Sequence, residues 1–226
     1  MTYPVWPLSG LEVNTPTVTL RHISDELAAE LALLAAQGIH DPATMPFSEP
    51  WTDAPSPQLE RNSLQYYWRC RAEITTAHWD IPLAVISGGR AVGVCTVHAE
   101  EFPARRSVTT GSWLGRPYQR RGIGRETRHA ALHLIFAGFG ADEATTRAWH
   151  DNAASLGVTG SLPYVRTGTT QEARRGRPDT MLAFAMDRAQ WDTIRRNDIE
   201  LTGIEAVAAQ LGFSSTYPGQ RERQDG

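Results

Sequence analysis

The chain opens with an alternation of apolar and polar residues that changes to a helical period. Residues 17–24 alternate and are rich in β-branched side chains, which is typical of a strand. Ser24 can then cap a helix, because its hydroxyl can accept a hydrogen bond from a first-turn amide. Three leucines share one face of that helix: Leu27, Leu31 and Leu34. The pattern predicts a strand followed by a helix that ends before Gly38.

Residues 40–57 interrupt this regularity. They contain five prolines, with Met45, Phe47 and Trp51 between them. Prolines at this density exclude a regular element and predict a stiff loop with an apolar lining. A helix is predicted over residues 58–78, followed by two strands joined by a glycine pair that suits a tight hairpin turn.

Those two strands cover residues 81–87 and 90–99, and a third is predicted over residues 105–115, with Gly111 as a bulge. The stretch RPYQRRGIGRETRH follows, with five arginines around two glycines at the start of a helical pattern. Later elements are a strand at 142–150, a short helix and a strand at 180–187. A helix between two strands implies a right-handed crossover and one parallel pair within a mixed sheet.

The C-terminal part has its own apolar stripe. From about residue 198, four residues share a helical face: Ile204, Val207, Ala208 and Leu211. This stripe needs an apolar partner, either the domain's own surface or a second subunit. We expect it to help form a homodimer, and the polar end of the chain to be a flexible tail. The predicted organisation is one α/β domain over residues 1–197 and a helical extension with a tail over residues 198–226.

Composition and charge limit the classes of function and partner that this chain can have. The 226 residues are 41% hydrophobic and carry a formal net charge of −3, so the arginine cluster is a local feature of an acidic protein. This balance disfavours a nucleic-acid partner. All 22 basic residues are arginines, which excludes a Schiff-base or Walker lysine. With no signal-peptide pattern and no run of 18 apolar residues, we expect a cytoplasmic protein without a membrane partner.

The arginine and glycine turn predicts an anion site. A helix N-terminus presents unpaired N–H groups and partial positive charge, and glycines let a phosphate approach the backbone. A solvated basic helix face is the alternative. The P-loop pattern is absent, and GIGRET lacks the third glycine of a dinucleotide-binding turn.

WLGRPYQRRGIGRETRHAAL resembles the Q/R-x-x-G-x-G/A acyl-CoA motif of the GNAT superfamily of N-acetyltransferases, in its RimJ/RimL-like branch. About thirty residues later, DNAASLGVTGSLPYVRTG resembles that branch's N-x-x-S-x-x-V segment. The resemblance implies a GNAT fold, which is a mixed, mainly antiparallel sheet flanked by helices. It also implies acetyl-CoA as co-substrate, bound in the splay between two parallel strands.

The resemblance further implies the site residues. Amides from Arg120 through Arg125 would hold the CoA pyrophosphate, Ser155 would protonate the departing thiolate, and Asn152 would contact the pantetheine arm. The full implied CoA-binding set is Trp113, Leu114, Gln119, Arg120, Arg121, Gly122, Ile123, Gly124, Arg125, Asn152 and Ser155. The alternative is that Asn152 only caps its helix and Ser155 is a surface residue.

The general base is harder to assign. Relatives often carry a glutamate two residues before the glycine of the strand that precedes the turn, and this chain has Thr109 there. Substitutes acting through water are His98, Glu100, Glu101 and His150. The predicted activity is acyl transfer to a primary amine of a small molecule or peptide N-terminus by direct attack in a ternary complex. The missing carboxylate also motivates an alternative, a non-catalytic CoA-sensing module.

The acceptor and metal expectations are more general. We expect the proline-rich loop to line the acceptor pocket through Phe47 and Trp51. Glu49 or Asp53 either attracts a cationic amine or is an ordinary loop residue.

His129 and His133 lie four residues apart, but the glutamate of H-E-x-x-H is missing, so we expect no metal.

Overall fold

A long antiparallel hairpin lies at the centre of a nine-stranded sheet in the computed structural model, which describes residues 5–215. The strands are β1 Glu12–Asn14, β2 Thr19–His22, β3 His78–Ser87, β4 Arg90–Glu100, β5 Ser107–Leu114, β6 Glu143–Trp149, β7 Val165–Arg174, β8 Arg177–Asp187 and β9 Glu200–Thr202. Their order in the sheet is β7-β8-β6-β5-β4-β3-β2-β1-β9. Only the β5–β6 pair is parallel among these strands, which confirms the predicted mixed, mainly antiparallel sheet.

Seven α-helices accompany the sheet within the described part of the chain. They are α1 Asp25–Ala36, α2 Gln58–Ala72, α3 Phe102–Arg105, α4 Ile123–His133, α5 Ala153–Gly160, α6 Arg188–Asp192 and α7 Ile204–Gln210. A π-helical turn over Leu134–Gly138 continues α4. Across residues 5–215, no helix combines the length and the apolar character needed to cross a bilayer.

Two local predictions are confirmed, the helix cap at Ser24 and the glycine turn between β3 and β4. The Ser24 hydroxyl accepts a hydrogen bond from the Leu27 amide at 3.3 Å, which caps α1 as its sequence predicts. The β3–β4 turn has Gly88 at φ +58° and Gly89 at φ +74°, and two successive positive φ angles are the requirement of a type I′ hairpin turn.

Two apolar layers cover the two faces of the sheet. On one face α4 packs on the sheet, with Val97, Val108 and Phe136 buried between them. On the other face α1 and α2 pack on the central strands around Leu31 and Val94. Because successive residues of a strand point to opposite faces, the parity of each β4 or β5 position tells which helix layer it faces.

Several predicted elements differ from the structure. Helix α2 ends at Ala72 rather than at residue 78, and the short strands β1 and β9 were not predicted. Gly111 forms no bulge, since it pairs in register with Thr96 of β4, and the irregularity of the hairpin lies between Val85 and Ile86 instead. The edge strand β7 was not predicted, because its residues are polar and mostly exposed on both faces and therefore show no two-residue period.

The C-terminal stripe is buried within its own chain. β9 pairs with β1, and Ile204, Val207, Ala208 and Leu211 are only 0 to 4% exposed in the same core as α4. This corrects the expectation that the stripe forms a dimer surface, because the chain itself supplies the apolar partner. The homodimer itself stays a prediction, and the predicted flexible tail falls on residues 216–226, which lie outside the described residues.

Leu211→Ala tests this assignment. Because the side chain is completely buried, the variant is expected to lower the free energy of unfolding by about 2 to 5 kcal/mol, measured by chemical denaturation. Leu33→Ala is the matched control, since Leu33 is 59% exposed on α1 and its loss should cost less than about 0.5 kcal/mol. Equal effects of the two variants would contradict the burial of the C-terminal segment.

Candidate functional site

The parallel strands β5 and β6 pair over only part of their length. Their register runs from Ser107–Glu143 to Thr110–Thr146 and stops there, although both strands continue. Beyond that point β5 remains paired with β4, and β6 remains paired with β8. The two strands therefore present facing edges, residues 111–114 and 147–149, whose backbone groups can bond a ligand placed between them.

A turn shaped by a side-chain amide follows β5. The Gln119 Nε2 group donates to the carbonyl of Leu114 at 2.7 Å and to the carbonyl of Ile39 at 2.6 Å. These two bonds fasten the turn to the end of β5 and to the loop after α1. Arg120 then has φ +60° and Gly122 has φ +81°, a left-handed conformation that glycine adopts at no steric cost. Gln119 and Gly122 thus shape the turn as the resemblance implies.

The first turn of α4 offers free backbone donors. No side chain caps this helix, and its first bond runs from the Glu126 amide to the Gly122 carbonyl at 3.1 Å. The amides of Ile123, Gly124 and Arg125 therefore have no acceptor within the helix. Together with the helix dipole, they make this end of α4 suited to an anion such as a phosphate.

Four of the five arginines of the motif surround this helix end at the surface. They are Arg116, Arg120, Arg121 and Arg125. Arg128 is different, because it is 4% exposed and its guanidinium contacts Tyr164 through a 3.4 Å hydrogen bond and the ring face. The local positive charge at the turn comes from the four exposed side chains and the helix end.

Helix α5 lies beside the glycine turn. A Cβ atom placed on Gly124 would lie 3.6 Å from Val158 of α5 and 3.8 Å from Leu114 of β5, which are ordinary contact distances. Gly124 therefore occupies the junction of β5, α4 and α5. A longer side chain at this position has to extend into the space around the turn.

Asn152 and Ser155 lie at the start of α5, directly after β6. The Asn152 Oδ1 atom accepts the Ser155 amide at 3.1 Å, so Asn152 is the helix N-cap, as the alternative assignment had it. This bond uses the amide oxygen and leaves the Nδ2 group as a donor. Both side chains are half-buried. Since α5 begins where β6 ends, the pair lies at the open end of the β5–β6 gap.

Thr109 lies on the α1/α2 face of β5, and no carboxylate stands at its position. Its hydroxyl lies 2.8 Å from the hydroxyl of Thr145 on β6, so the two side chains bond each other. His98 is directly opposite Thr109 on β4. The Nδ1 atom of His98 lies 3.0 Å from Asp80 Oδ1, and this hydrogen bond raises the pKa of His98.

The other candidate bases lie further away in the sheet or already have partners. Glu100 bonds His78 at 2.8 Å at the far end of β4 from the gap. Glu101 is exposed at the next turn, before α3. His150 lies 3.1 Å from Asp179, just after β6. Of the four candidates, His98 is the one whose strand position is opposite Thr109.

The proline-rich loop borders the gap on the α1/α2 face. Trp51 contacts Phe47 within the loop and Trp113 on β5, with ring centroids 5.1 and 6.0 Å apart. On the other side of the gap, the Trp149 indole N–H of β6 donates to the Phe47 carbonyl at 3.1 Å. The loop therefore contacts both strands beyond the point where they stop pairing. The contact with Trp149 was not predicted from the sequence.

Two arginines fasten the same loop to the β7–β8 hairpin. Arg174 donates to the Met45 carbonyl at 2.7 Å, and Arg175 forms two hydrogen bonds with Asp53 at 2.6 and 2.8 Å. The Arg175 hydrogen bonds lower the pKa of Asp53. Asp53 is therefore already paired with a cation, and of the two acids proposed to attract an amine only the exposed Glu49 is left.

An open cleft lies between the loop, the hairpin and the start of α5. Its volume is about 400 Å³, and its lining residues are Ala43, Thr44, Met45, Asp151, Arg174, Arg175, Arg177 and Asp179.

Neither cysteine belongs to the site. Cys70 and Cys95 are both buried with free thiols, and burial raises the pKa of each to about 11, so both act as packing residues.

Comparisons with known proteins agree with this fold. Residues 17–165, more than half of the chain, match the family model described as an acetyltransferase (GNAT) domain. RimJ of Mycobacterium smegmatis, solved with a CoA disulfide, has a TM-score of 0.64 at 16% identity, covering 92% of this chain and 98% of that one. RimL, a ribosomal L7/L12 alpha-N-protein acetyltransferase, has a TM-score of 0.62 at 18% identity, covering 77% and 94%. RimL has also been solved in complex with coenzyme A.

Gly124→Glu is expected to abolish the rise in melting temperature that coenzyme A gives the unmodified protein. The new carboxylate would occupy the space beside the free amides and repel a phosphate. Gly124→Ala is the control, because its Cβ fits at ordinary contact distances and should retain the stabilisation. The measurement is thermal unfolding with and without coenzyme A. Full stabilisation of Gly124→Glu would place the anion site elsewhere.

Proposed function

Since this chain belongs to the GNAT family of N-acetyltransferases, we propose that it transfers an acetyl group from acetyl-CoA to the neutral primary amine of a small molecule or a peptide N-terminus. The observation that carries the proposal is the β5–β6 gap, which opens beside the uncapped N-terminus of α4. A CoA molecule needs both features, an anion site for its phosphates and an extended groove for its pantetheine arm.

The pyrophosphate is assigned to the backbone amides from Arg120 through Arg125. Each exposed arginine contributes modestly to phosphate affinity, about 1 kcal/mol, so the amides and the helix dipole supply the main and specific part. The pantetheine arm then follows the unpaired edge of β5 past Leu114 and Trp113. Asn152 suits a contact with this arm, because its Nδ2 group is a donor at the start of α5.

The thioester lies between the strands, and the amine attacks it directly from the α1/α2 face. Attack forms the new C–N bond and an oxyanion, which backbone N–H groups along the gap can stabilise. Collapse then breaks the C–S bond, and the thiolate takes a proton from the Ser155 hydroxyl, while the proton that the attacking nitrogen loses is relayed through water to restore that hydroxyl. Because the thioester and the amine can meet in one gap, and neither cysteine lies there to take the acetyl group, a ternary complex is favoured over a covalent acetyl-enzyme.

The acceptor reaches the thioester past the proline-rich loop. Phe47 and Trp51 provide an apolar wall, and the cleft beside α5 offers an entrance with both acidic and basic side chains. RimL, whose fold is similar, is an acetyltransferase of the alpha-amino group of ribosomal L7/L12. A peptide N-terminus is therefore one of the acceptor classes that we propose for this chain.

Thr109 restricts which amines can react. An amine must be neutral to attack, and near pH 7.5 a lysine with a pKa of about 10.4 is neutral about once in a thousand, whereas an α-amino group with a pKa of about 7.8 is neutral about a third of the time. The difference is about 3.5 kcal/mol. Because Thr109 cannot remove a proton, weakly basic amines are the preferred acceptors: α-amino groups, aromatic amines or hydroxylamines.

Consumption of acetyl-CoA thioester over a panel of amines tests the function. The panel contains N-terminal peptides, small primary amines, aromatic amines and a peptide with a blocked N-terminus and one lysine. Acetyl transfer that requires a weakly basic amine supports the proposal. If coenzyme A binds but no amine consumes thioester, the chain is a sensing module instead.

Ser155→Ala is expected to lower kcat by about 10- to 100-fold with nearly unchanged affinity for coenzyme A, since protonation of the thiolate matters only in the transition state. Ser161→Ala is the matched control, because Ser161 lies at the other end of α5 and bonds the Val158 carbonyl. Steady-state kinetics and calorimetric titration with coenzyme A measure the two quantities. A loss of affinity without a loss of kcat would make Ser155 a binding residue.

Thr109→Glu is expected to broaden the range of acceptors. With the unmodified protein, the rate should rise with pH along the titration of the acceptor's own amine. The glutamate supplies a base beside the attacking amine and should raise kcat/KM for a lysine side chain at pH 7.5 by at least about tenfold. Thr109→Val, which has a similar shape without a base, is the control. Efficient lysine acetylation by the unmodified protein would show that a base exists elsewhere.

A further inference from the structure

Four side chains form a cluster at the end of the β3–β4 hairpin opposite its turn. His78 and Asp80 of β3 pair across the strands with Glu100 and His98 of β4, respectively. Positions two residues apart on a strand share a face, and directly paired residues lie on the same face. All four side chains therefore project together from the α1/α2 face of the sheet, outside the gap between β5 and β6.

Three of the four offer metal-ligating atoms at suitable separations. His78 Nδ1 lies 2.8 Å and His98 Nε2 lies 3.8 Å from the same atom, Glu100 Oε1. One ligand atom from each of these three residues lies within 4.8 Å of the other two. Ligands about 2.1 Å from an ion at angles between 90° and 109° are about 3.0 to 3.4 Å apart. The observed separations bracket this range, so small side-chain rotations would place all three around one ion.

Asp80 has a different position, behind both imidazoles. Its Oδ1 atom lies 3.0 Å from His98 Nδ1, and its Oδ2 atom lies 3.8 Å from His78 Nε2. Each histidine therefore turns one nitrogen toward Asp80 and the other toward Glu100. Metal-bound histidines almost always donate their second N–H to a carboxylate or carbonyl, which fixes the tautomer and the ring orientation. Asp80 is already at hydrogen-bond distance from His98, and His78 Nε2 would have to move closer to donate to the same carboxylate.

We propose that His78, His98 and Glu100 bind one divalent transition-metal cation of the zinc class, with Asp80 as the residue that orients both imidazoles. Two imidazoles and one carboxylate select borderline ions such as Zn²⁺ or Co²⁺ over Mg²⁺ or Ca²⁺, which prefer oxygen ligands. The Glu100 side chain is 52% exposed, so solvent can complete the coordination. The proposal departs from the expectation of no metal, which considered only His129 and His133, and it does not depend on the proposed acyl transfer.

His150 offers an internal comparison. Its Nδ1 atom lies 3.1 Å from Asp179, a histidine and carboxylate pair like that of His98 and Asp80. It belongs to no group of three ligating side chains among the described residues. If an ordinary ion pair were enough to hold a metal, His150 would contribute to binding as much as His78 does.

The test is calorimetric titration of Zn²⁺ into untagged protein that has been stripped with a chelator, together with the visible absorption spectrum of the Co²⁺ form. We expect one saturable site per chain. His78→Gln and Glu100→Gln should each weaken Zn²⁺ binding by at least about 100-fold, and Asp80→Asn by about 10- to 100-fold. His150→Gln should leave the affinity unchanged. Melting of the stripped variants confirms that they are folded.

The Co²⁺ spectrum separates ligation from orientation. The Asp80→Asn protein, saturated with Co²⁺, should keep the absorption bands of the unmodified site, because the same three side chains still ligate the ion. The Glu100→Gln protein should lose or shift them. The proposal is overturned by binding weaker than about 0.1 mM, by equal affinity of the His78→Gln and unmodified proteins, or by loss of binding in His150→Gln. Acetyl transfer plays no part in these readouts, so a failure of the proposed function would leave this result interpretable.

Discussion

The site depends on one incomplete strand pairing. β5 and β6 exchange hydrogen bonds over four residues and then continue without each other, while β4 and β8 hold them on their outer sides. Because both strands are fixed from outside, the gap cannot close without breaking an antiparallel pair. Unpaired backbone groups need an external partner, either water or a ligand. The same gap places the starts of α4 and α5 side by side, since each helix follows one of the two strands.

The loop over the gap is ordered by contacts rather than by regular structure. Its prolines restrict the conformations of the unfolded loop, so ordering the loop costs less conformational entropy. Its aromatic side chains pack against Trp113. Bonds from Trp149, Arg174 and Arg175 reach it from β6 and from the β7–β8 hairpin. The wall that we propose for the acceptor is therefore formed before any substrate arrives, which reduces the entropy that binding has to overcome.

The sequence predicted those parts of the fold whose signals are local. The cap at Ser24, the hairpin glycines and the turn before α4 each depend on neighbouring residues, so they could be placed correctly. Contacts between distant segments carry no such signal. Arg175 and Asp53 are 122 residues apart, and nothing in the loop's own sequence indicated that Asp53 is paired.

The register of strand pairing could not be predicted from the sequence either. Gly111 marks the place where β5 stops pairing with β6, but from the sequence alone the same glycine suggested a bulge. The cluster around His78 and Glu100 is invisible until the hairpin register is known, because the two residues are 22 positions apart. β7 was missed for another reason: as an exposed edge strand it needs no apolar face, so it has no periodic pattern.

The choice of arginine at positions 174 and 175, which hold the loop on the β7–β8 hairpin, also affects whether the protein can acetylate its own side chains. A protein that holds an acetyl thioester exposes its own nucleophiles to that thioester at high effective concentration. A lysine at position 174 or 175 could lose its proton and compete with the substrate, and its acetylation would release the loop. The guanidinium groups of Arg174 and Arg175 stay protonated at physiological pH and are not acyl acceptors. With no lysine anywhere in the chain, no side-chain amine lines the site to compete for the group that it transfers.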